Sequence, residues 1–148
     1  MQDGGDRRDT FVGTPLYVSP EMLEDTKSTP ASDLWALGCI IYRMHVGKVP
    51  FADETEAKTF EKILKRELNF PPEANLDEHT KDLVDKLLQV NPIKRLGAGR
   101  PGSKNDFNAI LKHPYFSKID FEQLPNLESP LSVVDIPPKI IADGELEV

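Results

Sequence analysis

The 148-residue chain carries 18 Lys and Arg against 25 Asp and Glu, a formal charge of −7, on a composition that is 39% hydrophobic and 29% charged. That balance fits one soluble domain and argues against a nucleic-acid partner, whose phosphates call for clustered Lys and Arg. A single cysteine, Cys39, excludes an internal disulfide, and no Cys/His set has zinc-ligand spacing, so no metal site is expected. Around the most apolar segment the longest uncharged stretch is the nine residues Leu34 to Tyr42, against the roughly 20 apolar residues of a membrane span. Residues 1–10 lack the apolar stretch of a signal peptide, and a cytoplasmic location is expected.

Residues 1–9 are polar and turn-forming, the expected flexible remnant of a longer segment. From 122 to 148 helical periodicity is lost. Pro125, Pro130, Pro137 and Pro138 enter, and from Leu124 on the acids exceed Lys139 by four. That tail reads as extended or disordered, so the acidity is local to it. Between the ends, residues 10–121 predict four or five helices and no strand. In Ala31 to Val46 the residues Leu34, Leu37, Ile40, Ile41 and Met44 recur three and four apart, with Trp35 and Cys39 widening the stripe. A helix apolar on most sides is a buried, central one. Asp33 sits in its first turn and Gly47 ends it. Glu56 to Lys65 predicts an amphipathic, peripheral helix with Phe60, Ile63 and Leu64 on one face, capped by Asp53 or Thr55. Asp77 caps a third helix running through Gln89, with Leu83, Val84, Leu87 and Leu88 inward, and Asn91-Pro92 stops it. A fourth covers about Asp106 to Lys112 and halts at Pro114.

Gly97-Ala98-Gly99-Arg100-Pro101-Gly102 satisfies G-x-G-x-x-G, but it follows a helix rather than a strand, and Pro101 removes an N–H that a phosphate would need. It reads as a surface loop. Trp35, Phe60 and Phe107 read as core. His45, His79 and His113 fall on different elements and read as surface or packing residues. Cys39 reads as an inert buried thiol.

The informative run is Thr10 to Glu21, TFVGTPLYVSPE, followed by Asp33 in DLWALGCIIY. It resembles the end of a protein-kinase activation segment, with Ser19-Pro20-Glu21 where most kinases have Ala-Pro-Glu. Asp33-Leu34-Trp35-Ala36-Leu37-Gly38 is similar to the central helix of the large kinase lobe. Gly47-Lys48-Val49-Pro50-Phe51, Asn91 to Gly97 and His113-Pro114-Tyr115-Phe116 match, in order, the later landmarks of that lobe. The Arg-Leu-Gly and His-Pro-x-Phe elements resemble the AGC group of Ser/Thr kinases. Tyr17 to Glu21, Ser32 to Tyr42 and Glu67 to Pro71 look most like the phosphoinositide-dependent kinases, while Thr14-Pro15-Leu16 is nearer the general AGC pattern.

The resemblance implies a mainly α, partial C-terminal kinase lobe, comprising the end of the activation segment and the helices after it. It implies ATP-dependent transfer of phosphate to protein Ser and Thr, with Mg2+, onto the activation loops of other AGC kinases. Thr10 matches the activation-segment phosphosite, where a phosphate pairs with basic residues and orders the loop. Thr14 and Tyr17 match the loop that forms the pocket beside the substrate hydroxyl. Glu21 and Arg95 match a buried structural ion pair, and Asp33 a carboxylate that bonds backbone N–H groups of the catalytic loop. Phosphoryl transfer needs a glycine-rich loop, a strand lysine, H-R-D-x-x-x-x-N and D-F-G, and none of these occurs in the 148 residues. The expectation is therefore that the N-terminal lobe and catalytic loop lie elsewhere, and that the chain alone has no catalytic residue and binds neither ATP nor Mg2+. Phosphoinositide binding would need a separate domain. A non-catalytic interaction module built on a kinase lobe, docking partners near Thr55 to Leu68, is the alternative, and an unrelated helical domain is the third reading. Without the catalytic loop, Leu34, Trp35 and Leu37 are expected to lose cover, giving low stability and aggregation.

Overall fold

The computed structural model describes residues 15–25 and 28–130. Thr10, Thr14, residues 1–9, expected as a flexible remnant, and most of the acidic tail fall outside the described residues. Among these residues the elements are five α-helices, α1 (Pro20–Asp25), α2 (Pro30–Val46), α3 (Glu56–Lys65), α4 (Glu78–Leu87) and α5 (Asn108–Leu111), with short 3-10 turns between them and no strand. The described residues are thus mainly α, the architecture expected from the sequence.

α2 is the axis of the fold and packs chiefly on α4. Pro30 at its first position lacks the N–H that would be unsatisfied there anyway. Gly47 ends it at φ 79, a left-handed geometry that costs glycine nothing, and its N–H closes on the Arg43 carbonyl. Trp35 and Cys39 are fully buried, and Leu34, Ile41 and Tyr42 nearly so. The helices approach so closely because of Gly38. A Cβ there would sit 2.8 Å from Leu88 Cδ2 and 3.0 Å from Leu87 Cβ.

The stripe is narrower than its periodicity predicts. Ile40 and Met44 are exposed, Met44 by 75%, because α4 covers α2 on the Gly38 face and the described residues offer no second layer behind it. Leu34 and Trp35, expected to lose cover, are instead buried. Phe107 is also corrected: it is 58% exposed rather than core.

α3 is capped by Thr55, whose hydroxyl accepts from the Lys58 N–H, while Asp53 pairs with Lys62 at 2.8 Å. α4 starts where Asp77 predicts and stops at Leu87 rather than Gln89. The next carbonyls are taken by cations: Arg66 donates to Leu88, and Arg95 donates to both Gln89 and Val90. α5 is shorter than its pattern because the Asp106 carboxylate accepts from the Gly102 and Asn108 N–H groups, closing a turn before the helix begins.

Asp77 accepts from the N–H groups of His79 and Thr80 and from the Thr80 hydroxyl, at 2.6–3.0 Å. Asp77→Ala is therefore expected to cost about 1–2 kcal/mol, read as a lower urea midpoint with unchanged slope. Asp77→Asn, which keeps one acceptor, should lose less.

Candidate functional site

The site-bearing residues converge where α1, the start of α2 and the turn after α4 meet. Glu21 lies in the first turn of α1, where a carboxylate is favoured. Arg95 follows the 3-10 turn Pro92–Lys94, which Asn91 opens by accepting the Ile93 N–H. The two side chains lie fork to fork, with Nη1 to Oε1 at 2.7 Å and Nη2 to Oε2 at 2.6 Å. Arg95 is fully buried and the Glu21 side chain only 13% exposed. The guanidinium also donates to the Ala31, Gln89 and Val90 carbonyls, and its carbon lies 5.2 Å from the Trp35 ring centroid. A planar fork with five donors suits these partners as a lysine could not. One side chain thus ties the segment end to α2 and to the end of α4.

Ser32 completes the tie. Its hydroxyl donates to Glu21 Oε1 at 2.8 Å and its oxygen accepts the Thr29 N–H at 3.0 Å. Burial by itself would raise the Glu21 carboxyl. The Arg95 bonds, a backbone N–H and the Ser32 hydroxyl outweigh it and hold the group at about 2, below the ordinary 4.5. Ser19 Oγ adds to this only as a nearby dipole, since it makes no full hydrogen bond. A depressed carboxylate stabilises the fold above its unfolded pKa, and that contribution is lost as pH falls. The unfolding midpoint should therefore drop between about pH 4.5 and about pH 2, and Glu21→Gln should remove that part of the pH dependence.

Asp33 lies on the exposed side of the first turn of α2, with no side-chain partner among the described residues. It faces an open cavity of about 570 Å³ with Leu34, Gly97, Gly99 and Phe107 on its walls. Trp35 stacks on Phe51 at 5.3 Å and 14° beneath Arg95. Tyr17, in the 3-10 turn Pro15–Tyr17, accepts a bond from Arg43 at 2.6 Å. Cys39 is pushed up to about 12 by burial, which keeps the thiol protonated.

In the Gly97–Gly102 loop the glycine N–H groups are engaged within the chain rather than open to a phosphate. The Gly97 and Gly99 N–H groups are spent on Asn105, and Gly102 donates to Asp106, a carboxylate standing where an anion would lie. Among the described residues no cluster of His, Cys, Asp or Glu could hold a metal. No helix among these residues is long and apolar enough to cross a membrane.

Sequence reasoning missed three polar locks. Ser32 links α2 to Glu21. Asn105 Nδ2 donates to the Arg95 carbonyl at 2.8 Å, while its Oδ1 accepts from Gly97. Arg43 joins Tyr17 across 26 positions. Only Ser32 left a sequence signal, lying three residues after Thr29 at a helix start.

The protein kinase domain family matches residues 1–116, and the chain belongs to that family. Its relatives are Ser/Thr kinases, several of the phosphoinositide-dependent type. A probable serine/threonine-protein kinase, pdkA, of Dictyostelium discoideum is 44% identical across 94% of this chain and 20% of its own length. The 3-phosphoinositide-dependent protein kinases 1 of Arabidopsis thaliana and Homo sapiens are 40% and 38% identical, across 93% and 94% of this chain and 25% and 24% of theirs. The chain thus spans a fifth to a quarter of the length of these relatives.

Proposed function

We propose that these residues form the substrate-side part of a cytoplasmic Ser/Thr protein kinase that transfers phosphate from ATP to the activation loops of other AGC kinases. The observation that carries the reading is the buried Glu21–Arg95 fork. It fixes the end of the segment bearing Thr14 and Tyr17 on the rigid α2–α4 pair, which is how a loop that positions a peptide hydroxyl must be held. In this reading Thr14 and Tyr17 border the substrate hydroxyl, and Thr10 is the regulatory phosphosite. Asp33 orients a catalytic loop supplied from outside the 148 residues, together with the groups that hold ATP and Mg2+. The chain by itself is then a scaffold without phosphotransfer activity.

The coding sequence upstream of Met1 tests this. H-R-D-x-x-x-x-N and D-F-G in frame would support an enzyme of the non-specific serine/threonine kinase class. A start codon at Met1 behind an untranslated leader would contradict it and favour an interaction module. Calorimetric titration of the isolated chain with ATP and Mg2+ should give no binding heat, and micromolar binding would overturn the scaffold reading.

A further inference from the structure

Arg43 lies in the last turn of α2, exposed, and donates from Nη1 to the Tyr17 hydroxyl at 2.6 Å. Among the described residues it joins no ion pair, although the chain carries a net charge of −7. The acid of its own helix, Asp33, is about 15 Å away along the axis at 1.5 Å per residue. A guanidinium has five N–H donors in one plane, and Tyr17 takes one of them. Because Tyr17 accepts that bond, its own O–H remains free to donate. Two adjacent donors, one of them a full positive charge, are thus unspent beside the turn that carries the proposed substrate pocket.

We propose that Arg43 and Tyr17 form a seat for an anionic side chain of the protein substrate, so that the site selects a Ser or Thr segment with an acidic group at one fixed neighbouring position. This rests on the substrate-side reading of Tyr17 given above. The charge also favours the negative end of α2, but that role needs no Tyr17 and confers no preference among peptides.

The test is fluorescence anisotropy on the full 148-residue chain, with peptides centred on one Thr and carrying Glu, phosphoserine, Ala or Lys scanned through the flanking positions. At one position the Glu peptide should bind about fivefold more tightly than the Lys peptide, as for a partly exposed ion pair. The difference should shrink in high salt. Arg43→Glu should reverse the preference, a result that misfolding cannot produce. Tighter binding of phosphoserine than of Glu at that position would identify the anion as a phosphoryl group and support the seat. No binding, equal binding of all peptides, or the same preference in both proteins would overturn it. Phosphate transfer to the same peptides, by a polypeptide that carries these residues with the catalytic loop, separates the two claims. No transfer alongside a reversible charge preference would sink the kinase reading alone, and transfer without charge preference would sink the seat alone.

Discussion

Arg95→Met is expected to lower the unfolding free energy by about 3–5 kcal/mol, the cost of stranding one member of a buried ion pair. Arg95 is fully buried and makes five hydrogen bonds, two to Glu21 and three to carbonyls of α2 and the α4 exit. Methionine fills much of the volume and satisfies none of these groups. It leaves the Glu21 carboxylate without its cation, with only Ser32 and a backbone N–H as donors, and takes one donor from each of three carbonyls. Arg95→Lys keeps the charge but has no fork, so it should recover only part of the loss. Guanidinium unfolding followed by far-UV circular dichroism measures both, and a loss below about 1 kcal/mol, the value of an exposed pair, would contradict the account.

Trp35→Ala should cost about 3–5 kcal/mol, as for other large aromatic residues removed from a core. The ring is fully buried, stacks on Phe51 and lies under Arg95, so the substitution opens a cavity and also uncovers the guanidinium. Its indole Nε1 has no partner among the described groups. Trp35→Phe keeps the stack and removes that unpaired donor, so it should cost well under half as much. Since Trp35 and Arg95 touch, the Trp35→Ala and Arg95→Met losses should be less than additive. Additive losses would mean that the ring and the guanidinium act independently.

The helices were legible where two signals agreed. Apolar spacing with Pro30 at one end and Gly47 at the other marks α2, and Asp77 with the Leu83 to Leu88 pattern marks α4. Periodicity says which face is apolar but not what covers it, so Ile40, Met44 and Phe107 were expected inside and lie outside. The end of α4 depends on Arg66, 22 positions away, and on Arg95, and the start of α5 on the turn that the Asp106 carboxylate closes with the Gly102 N–H, none of which apolar periodicity encodes. Glu21 and Arg95 were legible only through their motif neighbours, since their separation of 74 positions hides the pairing from any local rule. The Arg43 contact to Tyr17 and the Asn105 lock left no sequence signal at all.

The most direct measurement is transfer of the γ-phosphate of radiolabelled ATP to an AGC activation-loop peptide, comparing the isolated 148 residues with the same residues joined to their in-frame upstream coding sequence. The account predicts no transfer by the isolated chain and Mg2+-dependent transfer to Thr or Ser by the longer polypeptide, abolished when its catalytic-loop Asp is replaced. Transfer by the isolated chain, or a folded longer polypeptide that binds the peptide and transfers nothing, would contradict it.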